Sequence, residues 1–116
     1  PCTPQFLSDK GLEPGSMRLV DENESAALYE AMAAGVEASG GSAGNTVAGI
    51  GSLGGRAAYI GKVADDQLGG VFAHDIRAAG VTFDTPALKD GAGTGRCLIN
   101  VTPDGQRTMC TFLGAA

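Results

Sequence analysis

Helix-like and strand-like segments alternate through the middle of the chain, and this alternation limits the possible folds more than any other feature. Residues 44–53 have the pattern of a helix, and residues 57–60 that of a short buried strand. Asp65 or Asp66 is placed to cap a further helix, and residues 81–84 have the pattern of the next strand. Strands that alternate with helices are typical of parallel βαβ units, so we expect an α/β protein.

Many of the 19 glycines stand at the ends of apolar segments, which predicts tight junctions between elements. Gly80 occupies the left-handed position that ends the helix before residues 81–84. The segment 44–53 has almost no charge, so we expect a helix that is buried on most sides. Its end contains a literal G-x-G-x-x-G at 49–54, but a dinucleotide fingerprint follows a strand and opens a helix. Here the order is reversed, which favours close packing and helix termination over nucleotide binding.

Residues 16–20 alternate apolar and polar side chains as in a half-buried strand. Asp21 and Glu24 have the spacing of a capping box at the start of the next helix. That helix is predicted to place three apolar side chains on one face, and a short strand is expected before Ser39. The three side chains are Leu28, Met32 and Val36.

The last part of the chain differs from the middle. Residues 94–102 and 106–113 have strand patterns, and Pro103-Asp104-Gly105 between them is a favourable hairpin turn. An α/β body with an added β-hairpin is therefore predicted.

Composition excludes several classes of function. The net charge is -5 and the pI about 4.6, with no basic cluster that would neutralise nucleic-acid phosphates. No apolar run approaches the roughly 20 residues that span a bilayer. Three cysteines without close pairing favour free thiols in a reducing cytosol, so a cytoplasmic protein is expected.

The strongest candidate for binding chemistry is Gly40-Gly41 followed by Asn45. Adjacent glycines let a ligand approach the backbone, and free amides at a helix start can donate to it. The Asn side chain carries a donor and an acceptor, which suits vicinal hydroxyls of a polyol. A tight turn in which Asn45 satisfies local backbone groups is the equally weighted alternative.

Other reactive side chains have simpler interpretations. Asp65 and Asp66 are predicted to be a helix cap rather than an acid–base pair. His74 falls on a polar helix face with no partner for a metal, so no metal site is expected. Cys97 lies in an apolar strand, where packing is favoured over nucleophilic catalysis.

An ordered set of motifs resembles the ribokinase (PfkB) family, and within it the adenosine kinase-like branch of bacterial sugar kinases. The set consists of Gly40-Gly41-x-x-x-Asn45, Gly54-Gly55, Tyr59-Ile60-Gly61-Lys62-Val63-x-Asp65-Asp66, Leu68-Gly69, Ala79-Gly80-Val81, Thr94-Gly95 and Gly114-Ala115. The resemblance covers most of residues 21–116 and implies a doubly wound, Rossmann-like sheet with a small β-sheet lid. Residues 1–116 would be the N-terminal part of one such domain, here incomplete. Its lid strands are expected at about 15–20 and 94–113, and its α/β body at about 21–93.

The resemblance implies ATP-dependent phosphorylation of a hydroxymethyl group on a sugar or nucleoside, with Mg²⁺ as a further cofactor. By motif position, the backbones of Gly40 and Gly41 and the side chain of Asn45 would bind substrate hydroxyls. Cys97 and Ile99 are our choice of lid residues facing the substrate. A strand flips faces at every residue, so the competing set is Arg96, Leu98 and Asn100.

The sequence also departs from the family pattern. The substrate-binding Asp of the family's first strand and its Gly-Ala-Gly-Asp segment have no counterpart here. We therefore assign no catalytic residue and expect these 116 residues alone to be inactive. The alternative function is that of a non-catalytic fragment acting through lid-mediated dimerisation or assembly. A nucleotide-binding regulatory domain, based on the G-x-G-x-x-G match, is a third interpretation.

Overall fold

The structure, a computed structural model, describes all 116 residues and divides into two compact units. Unit 1 contains Pro1–Val36 and Gly95–Gly114, and unit 2 contains Glu37–Thr94 with Ala115–Ala116. In chain order the elements are α1 (Pro4–Asp9), β1 (Met17–Leu19), α2 (Glu22–Ala31), α3 (Ser42–Ser52), β2 (Ala57–Ala58), α4 (Gln67–Ala78), β3 (Val81–Thr82), β4 (Arg96–Val101) and β5 (Arg107–Phe112). None of the helices combines the length and apolar character that a bilayer-crossing helix requires.

Unit 1 is built on a three-stranded sheet in the order β1-β5-β4. β4 and β5 are antiparallel, which confirms the predicted hairpin, and β1 pairs in parallel with β5. The turn is closed by a hydrogen bond from Thr102 N to Gln106 O, and Gly105 takes a positive φ of 82°. A non-glycine residue would be strained in that conformation.

Helices cover one face of this sheet and leave the other face open. Leu98 of β4 and Cys110 of β5 pack with Leu7 of α1 and Leu28 of α2 in a buried core. The predicted half-buried alternation of residues 16–20 is wrong, because β1 lies at an edge of the sheet and Met17 is 56% exposed. Leu19 is exposed to a similar degree. β1 is nevertheless a strand, as predicted.

The capping box that opens α2 is confirmed. Glu24 N donates to Asp21 Oδ1 at 2.8 Å, and Asp21 N donates back to Glu24 Oε2 at 3.1 Å. The helix ends at Ala31, so its predicted extension to Val36 is wrong, and that side chain is 96% exposed. Gly35 disfavours a continued helix by roughly 1 kcal/mol relative to Ala. The strand expected before Ser39 is also absent, since residues 35–41 form neither helix nor strand.

Unit 2 contains the predicted βαβ arrangement. β2 and β3 pair in parallel, and α4 connects them. Val63, Ile76, Val81 and Phe83 form the buried core. Tyr59 and Phe72 pack against it, and the three aromatic ring centroids of this cluster are 5.5–5.8 Å apart.

Two burial predictions for unit 2 are wrong. β2 is shorter than predicted, and Ile60, assigned to a buried strand, is 94% exposed. α3 is not buried on most sides: Gly44 is its only buried residue, and Leu53 beside its end is 90% exposed. Low charge alone does not require burial, because glycine and alanine supply much of the apolar character of this helix.

The G-x-G-x-x-G segment terminates and packs a helix, as predicted. A Cβ atom added at Gly51 would lie 2.1 Å from the carbonyl oxygen of Ala79, so this residue allows close approach of another backbone. Gly54 has a φ of 81° and donates from its N–H to Gly51 O just after α3 ends. β2 follows the segment rather than preceding it. The order of elements therefore does not match a dinucleotide-binding fingerprint.

Asp66 is the cap of α4, and it also holds Thr94 at the end of the continuous segment of unit 2. Its Oδ1 accepts from Gly69 N at 2.8 Å and from Thr94 Oγ1 at 2.6 Å, and its Oδ2 accepts from Thr94 N at 2.8 Å. Thr94 Oγ1 in turn accepts from Ala64 N at 2.9 Å. One carboxylate thus fixes both a helix start and Thr94, two residues before β4.

Replacing Asp66 by Ala is expected to lower the free energy of unfolding by about 2–3 kcal/mol. The loss of an N-cap costs about 1 kcal/mol, and two further hydrogen bonds to Thr94 are lost. Asp65→Ala is the matched control, because the Asp65 side chain is exposed; we expect a change within about 0.5 kcal/mol. Urea unfolding of both variants measures the difference, and equal stabilities would contradict the role of Asp66.

The hairpin turn of unit 1 contains a carboxyl group with a shifted pKa. Hydrogen bonds from Thr102 Oγ1 and from Gln106 N hold the pKa of Asp104 below its ordinary value of 3.8. A depressed folded-state pKa adds stability that is present above the unfolded value and is lost as pH falls through the folded value. We expect Asp104→Asn to show a weaker fall in stability than the wild type between about pH 5 and pH 2. Denaturant midpoints across that range measure it, and identical slopes would contradict the prediction.

Candidate functional site

The first turn of α3 is an open set of hydrogen-bonding groups. Gly41 is the N-cap of α3, and its φ of 96° is one that glycine adopts without strain. No side chain caps this helix, and the N–H groups of Gly40 and Gly41 make no hydrogen bond within the chain. The start of a helix also carries a positive partial charge. An acceptor oxygen would therefore be favoured here.

The space beside these glycines is empty. A Cβ atom added at Gly40 or Gly41 would meet no atom within 4 Å. Packing within the chain therefore does not explain the absence of side chains here, although the backbone conformation explains Gly41. A ligand has direct access to the backbone at both residues.

Asn45 stands on the same first turn, with its backbone N–H bonded to Gly41 O at 2.8 Å. Its side chain is exposed, and the amide makes no hydrogen bond within the chain. The alternative in which this amide satisfies local backbone groups is therefore not what the structure shows. The structure brings Gly40, Gly41 and Asn45 together at one helix start, with a donor and an acceptor of the amide available.

The residue before the two glycines is tied to α4. Ser39 Oγ donates to Asp75 Oδ2 at 2.6 Å, and His74 Nδ1 lies 3.1 Å from Asp75 Oδ1. The hydrogen bond from Ser39, followed by that from His74, lowers the pKa of Asp75 below its ordinary 3.8. The His74 side chain is 80% exposed, in agreement with the prediction of a solvated histidine.

The two faces of β4 have different environments. Leu98 and Asn100 are buried on the face that α1 and α2 cover, whereas Cys97 and Ile99 lie on the open face. Cys97 is exposed, so the prediction that it packs in an apolar strand is wrong. Its Sγ accepts a hydrogen bond from Thr111 Oγ1 at 3.4 Å.

The competing lid residues are engaged in the interior of unit 1. Arg96 Nε donates to the buried Ser25 Oγ at 2.8 Å, and the guanidinium lies over the Phe112 ring, 5.6 Å from its centroid. Together with the burial of Leu98 and Asn100, these contacts leave Cys97 and Ile99 as the more accessible pair on this strand.

Strand register adds residues to the open face that sequence reasoning missed. Ile99 pairs with Met109, and Met109 pairs with Met17, so these side chains project from the same face. Leu19 and Thr111 continue the row next to Cys97. We call the set the open face: Met17, Leu19, Cys97, Ile99, Met109 and Thr111. Only the pairing of β1 with β5 reveals it, because these strands are far apart in the sequence.

The structure offers no arrangement of side chains for acid–base or metal chemistry. Asp66 is fully used as a helix cap, and Asp65 is an exposed neighbour. No three His, Cys, Asp or Glu side chains come together in a way that would hold a metal ion. The residues of this chain therefore do not fit a Mg²⁺ site, and no catalytic base is assigned among them.

Comparison with known proteins identifies the class. Residues 17–116 match the pfkB family carbohydrate kinases, and the chain belongs to this family. An adenosine kinase from Sinorhizobium meliloti is 56% identical with a TM-score of 0.94, over 99% of this chain and 35% of that one. A probable sugar kinase from Rhizobium etli CFN 42 is 51% identical with a TM-score of 0.92, over 98% and 34%. Probable fructokinase-4 of Arabidopsis thaliana is 36% identical in an alignment 82 residues long that covers 66% of this chain and 24% of the fructokinase.

These likenesses confirm the predicted ribokinase-like α/β fold and the family resemblance. The chain spans about a third of the length of the two solved kinases and about a quarter of the fructokinase.

Proposed function

We propose that these residues form the acceptor-binding part of an ATP-dependent kinase that phosphorylates a hydroxymethyl group on a nucleoside or sugar. The observation that carries the proposal is the uncapped first turn of α3, where Gly40 and Gly41 present unbonded N–H groups and Asn45 presents an unbonded amide. Membership of the pfkB family supplies the reaction class.

In this proposal the two glycine N–H groups donate to hydroxyl oxygens of the acceptor. The Asn45 amide accepts from one hydroxyl and donates to its neighbour, which fixes the orientation of a vicinal diol. ATP, bound with Mg²⁺, supplies the phosphoryl group. The residues of this chain bind and orient the acceptor, and we assign no base and no metal ligand among them.

We further propose that unit 1 is the lid and that unit 2 is part of the α/β body. The open face of unit 1 is apolar and polarizable around Cys97 and Ile99, with Met17 and Met109 beside them. Such a surface suits the face of a nucleobase better than the hydroxyls of a hexose. This favours a nucleoside acceptor, with a sugar such as fructose or ribose as the alternative.

An acceptor screen tests the proposal. The protein as its gene encodes it would be incubated with ATP, Mg²⁺ and adenosine, ribose or fructose, and ADP release would be measured beside thermal shifts. We expect turnover with at least one acceptor and the largest shift with adenosine. No transfer to any polyol would overturn the kinase proposal, whereas turnover with fructose alone would overturn only the choice of a nucleoside.

The 116 residues alone are expected to show no turnover with any of these acceptors. No three His, Cys, Asp or Glu side chains of this chain gather as a metal site, and the Asp66 carboxylate is occupied as the cap of α4. ADP release above the background rate from the purified 116-residue chain would contradict this prediction.

A second function, assembly through the lid, is favoured by the edges of the unit 1 sheet. β1 pairs on one side only, and the open face next to it is largely apolar. Exposed edges of this kind can pair with another chain. Sedimentation tests this function: a dimer whose formation is blocked by Leu19→Lys supports it, and a monomer at high concentration contradicts it.

A further inference from the structure

We propose that Asp75 is a positioning residue for the acceptor site, acting through Ser39 on the Gly40-Gly41 backbone; the inference rests on the proposed function. Asp75 lies in the last half of α4, and the sequence gives no sign that it meets the segment before α3. The structure places its carboxylate 2.6 Å from Ser39 Oγ.

The backbone of residues 33–40, the segment before α3, shows why a side-chain contact such as that of Ser39 with Asp75 is needed. Residues 33–40 form no helix or strand. The backbones of Ser39 and Gly40 make no hydrogen bond to another backbone group. The first backbone hydrogen bond of α3 runs from Asn45 N to Gly41 O, so the helix fixes the backbone only from Gly41 onward. A Cβ atom added at Gly40 or Gly41 would meet no atom within 4 Å, so no packed neighbour lies beside either residue there. Position must therefore be supplied by side chains of neighbouring residues.

Ser39 supplies it because it is adjacent to Gly40. Its hydroxyl donates to an ionised carboxylate, and charge-assisted hydrogen bonds of this kind are shorter and stronger than neutral ones. His74 Nδ1 lies 3.1 Å from the other carboxylate oxygen, Oδ1, so it does not contact the oxygen that Ser39 binds. α4 is anchored by the buried Ile76, so the carboxylate is attached to the core of unit 2.

The hydrogen bond between Ser39 and Asp75 fixes the backbone path by which the chain enters α3. If Ser39 is released, Gly40 and Gly41 gain freedom, and the ordering of their N–H groups must then be completed when the acceptor binds. Acceptor affinity falls, while the binding of ATP is unaffected because it depends on other residues. The signature is an increase in KM for the acceptor with an unchanged KM for ATP.

The kinetic test uses Asp75→Ala and Ser39→Ala in the protein as its gene encodes it. We expect each variant to raise the acceptor KM about 3- to 10-fold. The double variant should be no worse than either single variant, because both remove the same bond. Ser39→Thr keeps the hydroxyl and should retain the wild-type KM. His74→Gln removes the other contact of Asp75 and is the matched control; it should also retain the wild-type KM.

Hydrogen exchange gives a readout that does not depend on turnover. The amide of Asn45, whose N–H donates to Gly41 O at 2.8 Å, should exchange faster in Asp75→Ala than in His74→Gln, with equal melting temperatures for the two variants. Unchanged exchange would overturn the positioning role whether or not the protein is a kinase. Faster exchange with an unchanged acceptor KM would overturn the link to the site. Absence of turnover in the wild type would overturn the proposed function and leave the exchange result to decide the positioning role.

Discussion

Replacing Asn45 by Ala is expected to lower kcat/KM for the acceptor by about 10- to 100-fold. The amide makes no hydrogen bond within the chain, so its removal breaks no internal contact. In the proposed site two hydrogen bonds to substrate hydroxyls would be lost, each with a net contribution of about 0.5–1.5 kcal/mol. Steady-state kinetics with varied acceptor and saturating ATP measure the change.

Asn45→Asp is the matched variant, because it keeps an acceptor oxygen and removes the donor. If one substrate hydroxyl donates to the Asn45 oxygen, we expect Asn45→Asp to lower kcat/KM less than Asn45→Ala does. Melting temperatures of both variants should stay close to the wild-type value, since the side chain is exposed. A wild-type kcat/KM in Asn45→Ala would remove Asn45 from the acceptor site.

Two glycines of α3 should respond to the same substitution in opposite directions. Gly51→Ala is expected to lower the free energy of unfolding by about 3 kcal/mol, because the new Cβ would lie 2.1 Å from the backbone oxygen of Ala79. A backbone carbonyl cannot rotate away as a flexible side chain does, so α3 and the end of α4 must separate. Denaturant unfolding of the protein as its gene encodes it measures the loss.

Gly49→Ala is the control on the same helix. A Cβ atom there meets nothing within 4 Å, and alanine loses less backbone entropy than glycine on folding. We expect a gain of about 0.5–1 kcal/mol. If both substitutions lower the free energy of unfolding, α3 tolerates a side chain at neither position. The close approach of Gly51 to Ala79 would then not explain the loss.

The sequence could predict the helix starts and ends of this fold, because these depend on residues close together in the chain. Asp21 with Glu24 marks a helix start by spacing alone. The pair Asp65-Asp66 predicts the start of α4, and the structure shows that Asp66 is the cap. Gly80 has the expected positive φ at the end of α4. These features depend on neighbours within four residues, and the order of elements follows from them.

Burial was predicted less well, because it depends on which face another element covers. Ile60 and Leu53 are apolar and were assigned to buried segments, yet both are almost fully exposed. Met17 and Leu19 alternate correctly for a strand, but the alternation does not say that α1 and α2 pack on the opposite face. The link between Ser39 and Asp75 joins residues 36 positions apart, and no local pattern reveals it.

The candidate site likewise has one part that a local sequence motif predicts and another that depends on contacts between distant residues. The glycine pair and Asn45 were found from a short motif, and the structure shows that their hydrogen-bonding groups are unused by the chain. The open face was found only in part, because Met17 and Met109 join it through strand pairing over a long sequence separation.

The interleaved order of the two units determines when each can form during translation. Unit 2 is nearly continuous in sequence, whereas β1 of unit 1 must wait for β5, whose paired residues lie roughly 90 positions later. Closing a loop of that length costs about 4 kcal/mol of chain entropy. At 5–20 residues per second, Leu7 and Leu28 stay without their β-strand partners on the ribosome for about 4–20 s. The nascent chain is therefore most exposed to chaperones and proteases while unit 2 is being made.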